Sequence, residues 1–144
     1  MKYLGLDLGT RTLGVAVSDI TRTIATTYTT IRFDEDDYEK ALKELALIIN
    51  KEHPSKIILG FPKNMNNTVG PRAEVTIEFK KELENHFNIE VIMQDERLST
   101  KEASSYMIEA DMSRKKRKQK IDALAATIIL QTYLDKERNE KDGQ

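Results

Sequence analysis

Apolar and polar positions alternate along the first 31 residues in three short stretches. Residues 2–8, 13–18 and 23–31 are rich in aliphatic and β-branched side chains, and short polar turns separate them. This pattern predicts three β-strands joined as an antiparallel meander. One acid, Asp7, interrupts the apolar positions of the first stretch. Because burying an unpaired carboxylate is costly, Asp7 predicts a nearby cation or metal ion.

The middle of the chain alternates between helical and strand-like patterns. From Asp36 the apolar residues follow helical spacing, and this predicts a helix that ends near His53. Lys56–Gly60 is a continuous apolar run, typical of a central strand that is buried on both faces. After a loop at residues 61–70, Pro71 is well placed to begin a helix that continues to Phe87. Ile89–Met93 is the next predicted strand.

The last third of the chain predicts two more helices. Ser99 and Glu102 form a capping-box pattern for a helix that reaches about Ala110. A basic run at 114–120 leads into a final helix that Asp122 opens. Its apolar stripe, which we expect to face the sheet, consists of Ile121, Leu124, Ala125, Ile128, Ile129 and Tyr133. Residues 138–144 are polar and predict a flexible tail.

The order of these elements predicts one α/β domain over residues 1–137. Three antiparallel strands are followed by two strands that helical crossovers connect, so we expect a mixed five-stranded sheet flanked by helices. Functional groups in such sheets gather beyond the C-terminal ends of the parallel strands. Asp7 lies near the end of the first strand, and Asp95 and Glu96 follow the last. These acids would converge if the first and last strands are parallel neighbours.

Small residues bring a third acid into this group. Asp122 precedes Ala123, Ala125 and Ala126, which would let the final helix approach the sheet closely. The chain has no cysteine and only two histidines, so a metal ion would have to be held by oxygen. Mg²⁺ prefers carboxylate oxygens and substrate phosphates, and two such ions support phosphodiester hydrolysis. Taken singly, Asp122 could also be a helix cap, and Asp95 and Glu96 could be solvated loop residues.

Two polar segments and two arginines are candidates for nucleic-acid contacts. The loop that contains Asn64, together with Arg72, leads into a helix N-terminus, where backbone N–H groups favour phosphate. The basic run at 114–120 carries six basic residues in seven, among them Lys115, Arg117 and Lys118. It could follow a nucleic-acid backbone, or it could be an ordinary solvated segment. Arg11 and Arg97 lie beside the acids and could contact phosphate or pair with carboxylates.

Charge and hydropathy limit the remaining classes of function. The formal net charge of −1 neither requires nor excludes a polyanionic partner. No apolar stretch approaches the roughly 20 residues that span a bilayer. The first residues also lack a basic segment followed by an apolar run, so we expect a cytoplasmic protein. No dimer interface is visible in the sequence, which fits a monomer or a weak dimer.

Four segments resemble the successive motifs of one family. They are DLGTRTLGVAVSD (7–19), GFPKNMNNTVGPRAE (60–74), DERLSTKEA (95–103) and DALAATIILQTYL (122–134). In this order and spacing they resemble the YqgF/RuvX family of pre-16S rRNA nucleases, also described as Holliday junction resolvase-like proteins. The resemblance implies a ribonuclease H-like fold, an Mg²⁺- or Mn²⁺-dependent nuclease and a role in maturing the 5′ end of 16S rRNA. It makes Asp7, Glu96 and Asp122 the catalytic acids and metal ligands, with Asp95 as a fourth acid or an orienting neighbour.

One position departs from the family pattern. The family loop often has glycine after Asn-Met-Asn, and here this residue is Asn67. Asparagine tolerates positive φ well, so the turn can be kept, although the backbone would approach a substrate less closely. The departure does not affect the three acids.

Three alternative functions follow from the same residues. A Holliday junction resolvase would use the same acids on branched DNA. A nonenzymatic RNA-binding domain would use the basic run, and its acids would only shape loops. Asp7-Leu8-Gly9-Thr10 also resembles the phosphate loop of the sugar kinase and actin group, but that architecture needs two related domains and 144 residues supply one.

Overall fold

The described part of the chain contains five strands and three helices. A computed structural model describes residues 2–61, 71–95 and 114–142, including the side chains of 73–94 and 124–138 within the last two ranges. In chain order the elements are β1 (Tyr3–Leu8), β2 (Thr12–Ser18), β3 (Ala25–Arg32), α1 (Tyr38–Glu52), β4 (Lys56–Phe61), α2 (Pro71–Phe87), β5 (Glu90–Asp95) and α3 (Arg114–Asp142). The predicted helix that ends near Ala110 lies outside the described residues.

Local signals set the ends of the first two helices. The Asp37 side chain accepts a hydrogen bond from the backbone N–H of Lys40 and so caps the start of α1. His53 adopts a left-handed conformation, with φ 50°, and ends this helix just before Pro54. The helix α2 begins at Pro71, as predicted, and Asn88 closes it with φ 52°. Short-range sequence chemistry therefore determines where these helices begin and end.

The sheet has the mixed architecture that the sequence predicts. Its strand order is β3-β2-β1-β4-β5. The first three strands form an antiparallel meander, and β4 pairs in parallel with both β1 and β5. The fold class predicted for the chain is thus confirmed, and β1 lies at the centre of the sheet.

The first and last strands are not neighbours in the sheet. The acids were expected to converge if β1 and β5 were parallel neighbours, and this condition is not met. The strand β4 lies between them, because it pairs in parallel with β1 on one side and with β5 on the other. Two strand spacings, roughly 10 Å, therefore separate the β1 and β5 backbones. Asp7 and Asp95 share the same end of the sheet without lying on adjacent strands.

Each face of the sheet carries its own hydrophobic core. On one face, α1 and α2 cover a large cluster that includes Leu4, Leu6, Leu45, Ile57 and Leu83. On the other, α3 covers a smaller cluster formed by Tyr3, Ala16, Ile58, Ala126, Ile129, Leu130 and Leu134. Strand residues alternate between these two faces, as the period of two requires. Membership of a core therefore shows which face each strand position belongs to.

The last helix differs from its prediction in three ways. It begins at Arg114, so the basic run is itself helical and Asp122 lies inside the helix, where it cannot be the cap. Its buried face includes Ala126, Leu130 and Leu134, whereas Leu124 and Ile128 are only partly buried. The helix also continues to Asp142, through most of the segment predicted as a tail. Ala125 and Ile129 of the predicted stripe are buried, as expected, but the stripe did not include Ala126, Leu130 and Leu134, which follow one another at intervals of four residues on the buried face.

Candidate functional site

Asp7 is the central described residue of the candidate site. It lies on β1, where the other five residues are buried and Asp7 alone is half-buried. It stands opposite Gly14 in the antiparallel pairing with β2. On β1, Tyr3 belongs to the core under α3, so Asp7 lies on this same face by alternation. The carboxylate is therefore placed at the C-terminal end of the central strand, on the face that α3 covers.

Glycines flank Asp7 on both neighbouring strands. Gly14 occupies the β2 position opposite it. On the other side, Leu6 pairs with Leu59, and extending this parallel register by one residue brings Gly60 beside Asp7. Gly60 in turn pairs with Gln94 of β5. Because neither flanking residue has a side chain, this row of the sheet leaves the positions on both sides of the carboxylate unfilled by strand side chains.

The helix α3 runs antiparallel to β1 across the face that contains Asp7. Near the start of β1, the Tyr3 hydroxyl donates a hydrogen bond to Glu137, with an O···O distance of 3.0 Å. Further along, a Cβ added to Gly5 would lie 2.7 Å from Leu130 Cβ and 2.8 Å from the backbone oxygen of Ala126. Tyr3 therefore contacts α3 at Glu137, whereas Gly5, two residues further along β1, contacts it at Leu130 and Ala126. Position 122 follows one helical turn beyond Ala126, in the direction of Asp7.

The β1–β2 turn beside Asp7 is held by backbone hydrogen bonds. The Gly9 N–H donates to the Thr12 carbonyl at 2.7 Å, and the Phe33 N–H donates to the Arg11 carbonyl at 3.0 Å. The Arg11 guanidinium forms an ion pair with Glu35 at 3.3 Å, and both side chains are largely exposed. Of the two roles predicted for Arg11, the structure thus shows pairing with a carboxylate. An exposed pair of this kind is weak and can be exchanged for a phosphate.

Most predicted site residues lie outside the part of the chain whose side chains are described. Glu96, Asn64 and Arg97 fall outside the described ranges, and only the backbone is described for Asp95, Asp122, Arg72, Lys115, Arg117 and Lys118. Among the described residues, no group of three acids or histidines could hold a metal ion. The predicted convergence of Asp7 with Glu96 and Asp122 therefore remains a prediction.

Polar groups cluster at the opposite end of β1. The ammonium group of Lys56 lies 3.7 Å from Glu137 and 3.9 Å from Glu90. Burial raises the pKa of Tyr3 and of Tyr133, and the Glu137 carboxylate adds to both effects. Burial acts to lower the pKa of Lys56, but its tyrosine and glutamate neighbours outweigh this and raise it. This cluster ties the C-terminal half of α3 to the start of the sheet.

The sequence analysis did not single out Gly5, Gly14 or Gly60. Each interrupts an apolar strand pattern, and glycine inside a strand often marks a close backbone approach or space for a ligand. Here Gly5 admits α3, while Gly14 and Gly60 flank Asp7. That general signal could have identified all three positions.

Residues 1–136 match the family described as RuvX, Holliday junction resolvase. A relative from Geobacillus sp. (strain WCH70), named as a pre-16S rRNA nuclease, is 56% identical over 135 residues, which are 94% of this chain and 98% of the relative. A relative of the same name from Bacillus subtilis is 50% identical over the same shares of the two chains. The family and both relatives therefore carry the names of nucleases.

Solved structures of two resolvases share the fold. RuvC of Thermus thermophilus superposes with a TM-score of 0.59 at 13% identity, covering 96% of this chain and 97% of its own. The fowlpox virus Holliday junction resolvase gives a TM-score of 0.57 at 18% identity, covering 94% and 99%. At such identities the likeness shows a common fold, the ribonuclease H-like fold of these resolvases.

No helix in the described residues is both long and apolar enough to cross a membrane.

Proposed function

This chain belongs to the RuvX family, and we propose that it is a metal-dependent nuclease that processes the 5′ end of precursor 16S rRNA. One observation carries the proposal: Asp7 is a half-buried acid on the central strand, flanked by glycines, on the face of the sheet that α3 covers. A structural acid would have no need of two side-chain-free neighbours. A carboxylate that must accept a metal ion and a phosphate needs this space.

Asp7, Glu96 and Asp122 are the proposed metal ligands. All three offer carboxylate oxygens, and the chain has no cysteine, so the donor set suits Mg²⁺ or Mn²⁺. When bound, such ions activate water and stabilise the departing oxygen in phosphodiester hydrolysis. The direction of α3 along β1 supports the inclusion of Asp122, because the helix leads from the Gly5 contact towards Asp7.

Glu96 is supported by the alternation along β5. Ile92 packs in the core under α3, and Val91 packs in the core on the other face. Even-numbered positions of β5 therefore share the face of Asp7, and Glu96 would be the next of them if the alternation continued past Asp95, where β5 ends. Position 95 belongs to the odd-numbered positions of β5, which share the face of Val91. We propose Glu96 as the ligand and Asp95 as a residue outside the metal site.

The basic residues are proposed to hold the nucleic acid. Arg11 would release Glu35 and contact a phosphate near Asp7, since breaking the exposed Arg11–Glu35 ion pair costs little free energy. Lys115, Arg117 and Lys118 lie on the first turns of α3, ahead of Asp122, and would follow the backbone of the substrate. Asn64, Arg72 and Arg97 are proposed as further contacts around the scissile phosphate. These groups bind and orient the substrate while the acids hold the metal.

Precursor rRNA is the proposed substrate because the curated relatives carry that name over nearly their whole length. We propose that the protein acts on this substrate in the cytoplasm, on ribosomal particles. One active site is enough to trim a single RNA strand. A monomer or a weak dimer would therefore suffice for this reaction.

A Holliday junction resolvase is the second candidate, favoured by the family description. Symmetric cleavage of a four-way junction requires two active sites related by a two-fold axis, and hence a dimer. A nonenzymatic RNA-binding domain would instead need the basic run and none of the acids. These three functions make different demands on oligomeric state and on Asp7.

One comparison separates the candidates. Purified protein and its Asp7→Asn variant are incubated with a precursor rRNA fragment, single-stranded RNA and a four-way DNA junction, with Mg²⁺ or with EDTA. We expect the wild-type protein to cleave the precursor RNA only with metal and the variant to bind it without cleavage. Preferential cutting of the junction by a dimer would instead favour the resolvase. If the wild-type protein binds RNA but cleaves nothing, the RNA-binding domain is favoured.

A further inference from the structure

The contact between β1 and α3 is unusually close at Gly5. A Cβ at this position would stand 2.8 Å from the backbone oxygen of Ala126, and 2.7 Å from Leu130 Cβ, whereas ordinary contact begins at 3.4 Å. The obstructing atoms are a backbone oxygen and the first carbon of a side chain, so no rotamer change can remove them. Any larger residue at position 5 must move the helix itself by several tenths of an ångström.

Two further contacts fix α3 on the sheet. The Tyr3 hydroxyl donates to both carboxylate oxygens of Glu137, at 3.0 and 3.2 Å, and Tyr3 is buried. The Gln131 side chain accepts from the Ala25 N–H at 2.8 Å and donates to the Thr23 carbonyl at 2.9 Å. Hydrogen bonds to Tyr3 hold the helix along β1, while those of Gln131 hold it towards the β2–β3 side. Contact with Gly5 sets its height above the sheet.

We propose that Gly5, Tyr3 and Gln131 are positioning residues that hold α3 at the height and register at which Asp122 shares a metal ion with Asp7. The proposal rests on the function proposed above. The three contacts lie at 126–137 of α3, and Asp122 lies one turn before the first of them. Because a helix is a stiff rod over such a distance, moving it at Ala126 moves position 122 as well. Asp7 follows Gly5 by two residues on the same face of β1, and we expect it to move less than the helix because β2 and β4 hold β1 from both sides.

The displacement is large enough to matter for a metal site. Ligands must be held within about 0.5 Å of the productive geometry, and a misplacement of 1 Å can cost roughly 10²-fold in rate. A Cβ at Gly5 falls short of ordinary contact by a comparable amount. Replacing Gly5 should therefore weaken the metal site without touching any of its ligands.

The test compares Gly5→Ala and Tyr3→Phe with Leu45→Ala. Leu45 is fully buried in α1 on the opposite face of the sheet, so its truncation destabilises the fold without moving α3. Mn²⁺ binding to each full-length protein is measured by isothermal titration calorimetry without RNA. All measurements are made at a temperature at which circular dichroism shows the variant to be folded. The metal concentration for half-maximal cleavage is measured in parallel.

We expect Gly5→Ala to lower Mn²⁺ affinity by roughly tenfold or more, with part of the cleavage recovered at high metal concentration. Tyr3→Phe should lower the Mn²⁺ affinity by roughly two- to fivefold, because one of the three contacts that hold α3 on the sheet is lost. Leu45→Ala should leave the affinity within about twofold of wild type.

Each other outcome has a defined meaning. Wild-type affinity in a folded Gly5→Ala protein overturns the positioning role and leaves the proposed nuclease intact. An equal loss in Leu45→Ala also overturns it, since the effect then reflects general stability. If Gly5→Ala does not fold, Tyr3→Phe decides, and wild-type affinity in that variant rejects the proposal. If the wild-type protein itself neither binds Mn²⁺ nor cleaves RNA, the proposed function fails and the positioning role fails with it.

Discussion

Asp7 stands directly opposite Gly14 in the antiparallel pair of β1 and β2. Cross-strand Cβ atoms on one face lie only about 5 Å apart, so any side chain at position 14 would stand beside the Asp7 carboxylate. We predict that Gly14→Ala lowers kcat/KM for RNA cleavage roughly tenfold, because a methyl group enters the space that we propose for the metal ion and the phosphate. Steady-state cleavage assays at saturating Mg²⁺ provide the measurement, with circular dichroism to confirm folding. A folded Gly14→Ala protein with wild-type kcat/KM would show that this space has no role.

Alternation along β5 predicts different roles for its two terminal acids. We expect Glu96→Gln to abolish metal-dependent cleavage, because Glu96 is a proposed metal ligand and Asp95 is not. Asp95→Asn should keep most of the activity, since position 95 falls on the opposite phase of the strand. The two variants remove one negative charge each from adjacent positions and so control for one another. Equal losses in single-turnover cleavage assays would contradict the assignment.

The basic run on α3 is predicted to bind the RNA backbone. Replacing Lys115, Arg117 and Lys118 with alanine should weaken RNA binding and reduce the slope of log K against log[salt], by up to about 0.7 for each lost contact. The control variant replaces Lys40, Lys43 and Lys51, which are exposed on α1 across the sheet from α3. It removes the same charge. Fluorescence anisotropy at several salt concentrations gives the slopes, and equal slopes for both triple variants would reject a local binding surface.

The β2–β3 hairpin predicts an acid-sensitive contribution to stability. Asp19 accepts hydrogen bonds from the backbone N–H groups of Ile24 and Thr23, at 3.0 and 2.8 Å, and from the Thr21 hydroxyl. These bonds hold the pKa of Asp19 well below its ordinary value of 3.8. A depressed pKa means that the stabilisation is complete above about pH 4 and is lost as the pH falls further.

We therefore predict that Asp19→Asn flattens the dependence of stability on pH below 4. The amide oxygen can still accept the backbone hydrogen bonds, but the group no longer titrates. Urea unfolding midpoints at pH 2.5 and pH 6 measure the effect. The fall in midpoint between these values should be smaller in the variant than in the wild type, and an identical fall would contradict the role of Asp19.

Short-range chemistry explains why so much of the fold could be predicted from the sequence. Pro71 fixes the start of α2, and its predicted end at Phe87 is confirmed. The interior position of Lys56–Phe61 in the sheet follows from an apolar run that needs cover on both faces. Alternation and turn residues likewise gave the meander, because strand period and turn geometry are local properties.

The missed features depend on tertiary contacts. The start of α3 at Arg114 was not predicted, because a basic run shows no apolar periodicity of its own. The close approach of α3 to the sheet was predicted from its small residues, but the contact with Gly5 was not, since it depends on how a helix from the end of the chain docks on the first strand. Asp7 could be singled out because an acid in an apolar strand is a local anomaly. Its flanking glycines become meaningful only when the register is known.

The central claim is that Asp7 holds a catalytic metal ion, and the most direct measurement is Mn²⁺ binding by isothermal titration calorimetry in the wild-type protein and in Asp7→Asn. The account predicts measurable binding by the wild type and its loss in the variant. Cleavage of precursor rRNA should be lost in parallel, while melting temperature and RNA affinity are kept. Equal Mn²⁺ binding and equal cleavage by the two proteins would contradict the account.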